Sequence, residues 1–145
     1  MNLSSWFLGF FEADGCFSYT TNGARGITPF LYVGQQADMD YMPPGIRLVS
    51  ILLGGNTNRV QPKSEYRGYE TKYKLQWKAW GRSKDILLET VWFFDQHPLI
   101  SARKQRDYEI WRKMALLYIT NGRSNAQLPA LAAKLSSDGR TKYIA

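Results

Sequence analysis

The sequence predicts an α+β fold that combines helices with an antiparallel sheet. Three observations predict it: an apolar helical stretch near the N-terminus, pairs of segments with period-two alternation, and helix-length apolar patterns in the second half. In chain order the elements read helix, strand, strand, helix, strand, strand, helix. We expect a single domain over residues 1–145, with residues 136–145 as a mobile basic tail.

The composition of the chain indicates which class of molecule it binds. The chain has 145 residues, of which 44% are hydrophobic, and its net charge is +7. The hydrophobic fraction indicates a folded domain, and the charge favours DNA or RNA as partner over an acidic small substrate. The alternative is a soluble protein that is merely basic, and charge alone does not separate the two.

Cysteine usage and hydropathy bear on the compartment. Cys16 is the only cysteine, which excludes an internal disulfide and a cysteine-based zinc site. We find no apolar run long enough to span a bilayer and no secretory signal, so no membrane partner is expected. We expect an intracellular location, with an organelle such as a mitochondrion or chloroplast as an alternative.

The first helix is predicted within the stretch from Leu3 to Phe17. Ser4 or Ser5 is a good N-cap type, and Gly15 would end the helix in the left-handed conformation. Asp14 then lies at the negative end of the helix dipole, which is unfavourable for a carboxylate unless a cation joins it.

Alternation predicts the strands. The first pair is Cys16–Asn22 and Ile27–Gln35; Pro29 suggests an edge position or an interrupted pairing in the second of them. The segment Met42-Pro43-Pro44-Gly45 excludes a helix through that point, and a short helix follows at Ile46–Leu53. The second pair of strands is Asn56–Pro62 and Tyr69–Trp80.

The second half is mainly helical. Ser83 is the expected N-cap of an apolar helix over Ile86–Phe94, and longer and shorter helices follow at Leu99–Asn121 and Gln127–Leu135. Among the aromatic residues we expect core positions for Trp77, Trp80, Trp92, Tyr108 and Trp111.

Residues 7–15, FLGFFEADG, resemble the LAGLIDADG motif of homing endonucleases and maturases. Gly9, Ala13, Asp14 and Gly15 match outright, whereas Glu12 replaces the usual first aspartate. The predicted order of elements is also that of this family, so the resemblance covers roughly residues 3–122. It implies a saddle-shaped, four-stranded antiparallel sheet. Only one motif is present in the chain.

The resemblance implies a metal-dependent phosphodiesterase site. Asp14 would be the metal ligand, with the backbone carbonyl of Ala13 as helper, and Mg²⁺ would be the metal. Gln35, with Gln36 as fallback, would lie near the hydrolytic water. Lys104, with Arg103 sharing the role, would stabilise the phosphate or polarise the water.

The resemblance further implies how the chain would assemble and bind DNA. Motif helices would pack about a two-fold axis through Phe7, Gly9, Phe10 and Ala13, giving a homodimer. The polar sheet face would contact double-stranded DNA, since lysine, arginine and amide side chains suit phosphates and base edges. The expected DNA-binding residues are Ser18, Thr20, Asn22, Arg25, Thr28, Tyr32, Arg59, Gln61, Lys72, Lys74, Gln76 and Lys78.

The implied activity is site-specific cleavage of a long, near-palindromic DNA site with a staggered double-strand break. Such proteins are typically encoded in mobile introns or inteins. Several alternatives stay open: one half of a two-motif chain, one copy of a heterodimer, a maturase that binds intron RNA, a non-catalytic nucleic-acid-binding protein, and an unrelated basic α+β domain.

Overall fold

A computed structural model describes residues 2–21, 26–36, 42–54, 57–60 and 76–135. The predicted α+β class and the predicted order of elements are confirmed. The chain forms two compact units: Met1–Gly15 with Tyr32–Gly81, and Cys16–Leu31 with Arg82–Ala145. The predicted basic tail, residues 136–145, lies outside the described residues.

Helix α1 (Leu3–Asp14) begins two residues earlier than a cap at Ser4 would allow. Asn2 is the N-cap: its side-chain oxygen accepts hydrogen bonds from the backbone N–H groups of Ser4 at 2.9 Å and Ser5 at 3.3 Å. The predicted serine cap is therefore wrong. Asparagine fulfils the same physical requirement, because its oxygen satisfies two N–H groups that have no partner within the helix.

Gly15 ends α1 for a different reason from the one predicted. Its φ is −83° and its ψ is 159°, so the backbone is extended and the predicted left-handed conformation is wrong. The glycine is required by close approach instead, because a Cβ at this position would lie 2.4 Å from the ring of Phe11. The chain therefore passes from the helix directly into strand β1 (Gly15–Thr21).

Four strands form one sheet, in the order β1-β2-β4-β3. The other strands are β2 (Ile27–Gln36), β3 (Thr57–Val60) and β4 (Gln76–Gly81). β3 and β4 run antiparallel, with Cα partners from Thr57↔Ala79 to Val60↔Gln76. Because β2 has a neighbour on each side, it is not an edge strand, whereas the alternative predicted for Pro29, an interrupted pairing, stays a prediction. Residues 61–75, which include the first part of the predicted fourth strand, lie outside the described residues.

Alternation along β2 separates a buried face from a half-exposed one, as predicted. Ile27, Pro29, Leu31 and Val33 are buried, and the residues between them are half-buried. This period of two is that of a strand with one face in the core.

Helix α2 (Pro44–Leu52) begins two residues earlier than predicted. Pro43 is its N-cap and Pro44 its first residue, so the prolines start the helix instead of excluding it. Proline is well tolerated there, since its fixed φ suits the first turn and its missing N–H would have no helical partner. Ile46 and Val49 are fully buried, whereas Ile51 is 68% exposed.

The second unit contains helices α3 (Lys84–Gln96), α4 (Ala102–Asn121) and α5 (Leu128–Ala132). Ser83 caps α3 as predicted, accepting a hydrogen bond from Ile86 N–H at 3.2 Å. Ser101 caps α4 in the same way through Lys104 N–H at 3.3 Å. Among the described residues, no helix combines the length and apolarity needed to cross a bilayer.

An aromatic cluster forms the core of the second unit. Phe17 packs against Phe94, Tyr108 and Trp111, with ring centroids 5.2 to 5.4 Å apart. Tyr108 and Trp111 are core residues as predicted, whereas Trp92 is 64% exposed, so its predicted core position is wrong. Leu88, one turn before Trp92 on the same face of α3, is 51% exposed.

The start of β2 is tied to the turn after α4. Ile27 N–H donates to the carbonyl of Arg123 at 3.0 Å. Gly26, which precedes it, has φ of +108°, and a Cβ there would lie 1.9 Å from the same carbonyl oxygen. The positive φ and the close approach of the Arg123 carbonyl each restrict position 26 to glycine.

Candidate active site and nucleic-acid interface

Asp14, the proposed metal ligand, is the last residue of α1 and is exposed. Gly15 N–H donates to the carbonyl of Phe11, which closes the final helical turn. The carbonyls of Ala13 and Asp14 lie beyond that bond, among the last four of the helix, which have no helical donor. Carboxylate and carbonyl oxygens are therefore presented together at the negative end of the helix dipole.

This donor set fits a hard divalent cation in part. Carboxylate and main-chain carbonyl oxygens are the ligands that Mg²⁺ prefers. Within the described part of the chain, the Asp14 side chain has no hydrogen-bonding or ion-pair partner. The described residues contain no group of three or more histidine, cysteine, aspartate or glutamate side chains that would hold a metal ion. Within the residues that the structure describes, one chain thus offers a single carboxylate at this place, that of Asp14.

Gln35 lies in the same unit as Asp14 and close to the same helix. A Cβ at Gly45, in the first turn of α2, would lie 3.8 Å from Gln35 Oε1 and 3.0 Å from Phe10 Cε2. Phe10 precedes Asp14 by one helical turn on one face of α1. The structure therefore places the Gln35 amide and the Phe10 side chain of the motif helix beside the same glycine. The fallback residue, Gln36, ends β2.

Lys104 and Arg103 lie in the first turn of α4, in the second unit. Arg103 is exposed and Lys104 is half-buried. The N-terminus of a helix carries the positive end of its dipole, which two cationic side chains reinforce. A helix N-terminus is a type of position that suits an anion, so the location of both residues is compatible with the predicted role, which stays a prediction.

Four of the predicted DNA-binding side chains are described, and they differ in exposure. Thr20 is exposed, and its hydroxyl donates to the Thr28 carbonyl at 3.5 Å; Thr28 and Tyr32 are half-buried. Ser18 is only 5% exposed, so its side chain offers little surface to a partner. Arg59 lies in β3, and Gln76 and Lys78 lie in β4. Outside the described residues lie Asn22, Arg25, Gln61, Lys72 and Lys74.

The predicted dimer face of α1 is partly exposed. Gly9 and Ala13 are exposed, and a Cβ at Gly9 would meet no atom within 4 Å. Phe10 is half-buried and stacks on Trp6, with ring centroids 5.2 Å apart. Phe7, by contrast, is only 8% exposed and packs against Phe11, so it belongs to the core of the first unit.

Sequence reasoning missed two residues of this face. Leu3 is 47% exposed and Trp6 is half-buried. They share a helical face with Phe10 and Ala13, which follow at intervals of three and four residues. That spacing can be read from the sequence, and with it the predicted dimer face would have included Trp6 instead of Phe7. Gly45 was also missed, because one glycine beside two prolines indicates only a turn.

Comparison with known proteins gives structural neighbours but no sequence match. No protein-family profile matches the chain, and no curated protein matches it in sequence. The chain is similar in structure to the LAGLIDADG meganuclease I-AabMI bound to uncleaved DNA, with a TM-score of 0.64 and 18% identity over 94% of this chain. It is also similar to I-SmaMI bound to uncleaved DNA in the presence of calcium ions, with a TM-score of 0.66 and 16% identity over 94% of this chain.

A third neighbour is the archaeal intron-encoded homing endonuclease I-Vdi141I complexed with DNA. Its TM-score is 0.67 and its identity 17%, over 94% of this chain and 85% of its own. The chain spans about half of I-AabMI and I-SmaMI, namely 45% of each. Helix α1 with its terminal Asp14 and the four-stranded sheet agree with the fold of these neighbours. The chain therefore has the fold of the LAGLIDADG homing endonucleases.

Proposed function

We propose that this chain is a site-specific DNA endonuclease that cleaves a long, near-palindromic site as a homodimer with a divalent metal. The observation that carries the proposal is the placement of Asp14. In a LAGLIDADG fold, its carboxylate is exposed at the end of α1, with the Gln35 amide beside the preceding turn. DNA as the substrate is supported by the DNA-bound state of neighbours with the same fold.

Asp14 and the carbonyl of Ala13 would hold the metal ion, for which Mg²⁺ is the proposed identity. A bound divalent ion supplies Lewis acidity and lowers the pKa of bound water. The calcium ions present with I-SmaMI support an oxygen-rich divalent site in this fold. The chain's own contribution is to fix the carboxylate at a helix end, where the dipole makes a cation favourable.

Gln35 and the first turn of α4 would complete the chemistry. The Gln35 amide can both donate and accept, so it would hold the attacking water by hydrogen bonds. Lys104 and Arg103 would oppose the negative charge that develops on the phosphate. Both roles depend on charge and hydrogen bonding. Removal of any of these three side chains should therefore lower the cleavage rate.

A homodimer would supply the second carboxylate. Each chain offers one Asp14, and two copies related by a two-fold axis would bring two carboxylates together and cut one strand each. The exposed face of α1 supports this arrangement, because Gly9 leaves open space and Ala13 is small. The proposed interface is formed by Leu3, Trp6, Gly9, Phe10 and Ala13.

The proposed site is tested by substituting Asp14→Asn. The amide keeps the shape of the side chain but loses its charge, so we expect DNA affinity to be kept and Mg²⁺-dependent cleavage to fall by about 1,000-fold or more. The substrate is selected with wild-type protein from a plasmid library of randomised near-palindromic inserts. Binding is measured in Ca²⁺, and cleavage by single-turnover kinetics in Mg²⁺.

Asp85→Asn is the matched control, because it removes an exposed carboxylate of α3 that has no proposed role. It should cleave like the wild type. Undiminished cleavage by Asp14→Asn would contradict the site. Tight binding of DNA or RNA without cleavage by the wild type would favour a non-catalytic binder or a maturase instead.

A further inference from the structure

The first turn of α2 makes a close contact with α1 in which Gly45 is central. If Gly45 carried a Cβ, that atom would lie 3.0 Å from Phe10 Cε2, 3.3 Å from Phe10 Cζ and 3.8 Å from Gln35 Oε1. A glycine at position 45 therefore lets the Phe10 ring lie closer to the backbone of α2 than a Cβ would allow without strain. All three residues belong to the first unit.

We propose that Gly45 is a positioning residue for Gln35. Its missing side chain lets α2 approach the Phe10 ring, which sets the place of the Gln35 amide relative to Asp14. The inference rests on the proposed function, because it assigns Gly45 a role through a residue of the proposed site. It adds a residue that lies outside the motif and has no reactive group of its own.

Burial of α2 side chains explains why the contact is rigid. Ile46, which follows Gly45, and Val49, one turn further along the same face, are fully buried, so α2 cannot shift at this contact without disturbing the core. Pro43 and Pro44 restrict the backbone immediately before Gly45. A methyl group added at Gly45 must therefore displace the Phe10 ring by a few tenths of an ångström, and it would stand in ordinary van der Waals contact with Gln35 Oε1.

The displacement would act on rate more than on stability. Phe10 is one turn from Asp14, and Gln35 lies at the same contact, so a shift changes how the two proposed groups face each other. Alanine is a better helix former than glycine, which offsets part of the strain from the contact. Gly45→Ala should therefore fold, bind DNA and cleave slowly.

The first test reads the amide itself and needs no DNA. The side-chain NH₂ signals of Gln35 are identified in a ¹H–¹⁵N spectrum by their loss in Gln35→Ala. Gly45→Ala should move these signals, whereas Ile51→Ala, an exposed change on the same helix, should leave them in place. Adding Phe10→Leu to Gly45→Ala removes the ring contact and should return them toward their wild-type positions.

The second test separates rate from binding. On the selected DNA substrate, Gly45→Ala should lower the single-turnover cleavage rate by about tenfold or more, with DNA affinity in Ca²⁺ unchanged. In a Gln35→Ala background the same substitution should have little further effect on the rate, because the two changes act through one group.

Two outcomes would overturn the inference: Gln35 signals that do not move in Gly45→Ala, or rate losses that multiply independently in the double variant. A rate loss that follows a loss of thermal stability would likewise show that Gly45 acts only in packing. If the wild type cleaves no DNA, the proposed function fails, whereas the spectra still decide whether Gly45 positions the amide.

Discussion

A methyl group at Gly15 would lie 2.4 Å from the Phe11 ring, whereas one at Gly9 would meet no atom within 4 Å. Gly15→Ala should therefore destabilise the chain by about 1–3 kcal/mol through overpacking. Gly9→Ala is the matched control: in a helix interior it should stabilise a single chain by about 0.5–1 kcal/mol. Urea unfolding measures both at a concentration where the chain is monomeric, and equal effects of the two substitutions would contradict this account.

Asp95 couples stability to pH. Arg112 donates to both of its carboxylate oxygens at 2.9 to 3.1 Å, and this hydrogen bonding holds the pKa of Asp95 below its ordinary value of 3.8. The folded state then binds fewer protons than the unfolded state. The contribution to stability is therefore complete above pH 3.8 and is lost as pH falls through the lower pKa of the folded state.

Asp95→Asn should remove that contribution, which we expect to be about 0.2–1 kcal/mol because both partners are exposed. Side-chain exposure is 40% for Arg112 and 38% for Asp95. The measurement is the urea midpoint at pH 7 and pH 3. The difference between variant and wild type should be present at pH 7 and shrink at pH 3, and Arg112→Gln should behave likewise. A constant difference would exclude this linkage.

At the scale of elements, Trp111 fastens α4 to two strands. Its indole N–H lies 3.1 Å from the carbonyls of both Ser18 and Phe30, in β1 and β2. Trp111→Phe keeps an aromatic ring but leaves buried carbonyls without this donor, so we expect a loss of about 1–3 kcal/mol. Trp92→Phe on the exposed face of α3 should change stability little. Urea unfolding of both variants makes the comparison, and similar losses would refute the role of the hydrogen bond.

Local patterns predicted the elements well where a single physical requirement governs them. Ser83 was recognisable as a cap, and alternation identified the buried face from Ile27 to Val33, because each depends on neighbours along the chain. The edge position suggested by Pro29 was wrong because strand order depends on non-local pairing. Trp92 was misplaced because an apolar helix does not reveal which of its faces lacks a partner.

The residues of the proposed site likewise include some that local sequence could predict and some that it could not. Asp14 was identifiable because the motif is continuous in sequence. The contact of Gly45 with Phe10 and Gln35 joins three separate elements, and a glycine carries no sign of what approaches it. Phe7 was assigned to the dimer face because motif positions do not report burial, whereas the spacing from Leu3 to Ala13 did contain that information.

At the scale of the molecule, the assembly is directly measurable. Light scattering should give about twice the chain mass of 16.7 kDa for the wild type. Gly9→Leu would place a large side chain on the exposed face of α1, in the proposed interface, so it should give a mass near that of one chain. Leu88→Ala on α3 should not alter the mass. A monomeric wild type would leave each Asp14 without a second carboxylate and would favour a chain that pairs only on its nucleic acid.

Gly26 has a consequence for how such a gene can diverge. Its φ of +108° and the 1.9 Å between a Cβ and the Arg123 carbonyl exclude every other residue for two independent reasons. Purifying selection should therefore act on this codon for the sake of the fold alone. Under neutral drift with selection for folding alone, synonymous changes should accumulate there while amino-acid changes do not. Arg123 makes this contact through its backbone carbonyl, so the contact itself places no restriction on its side chain.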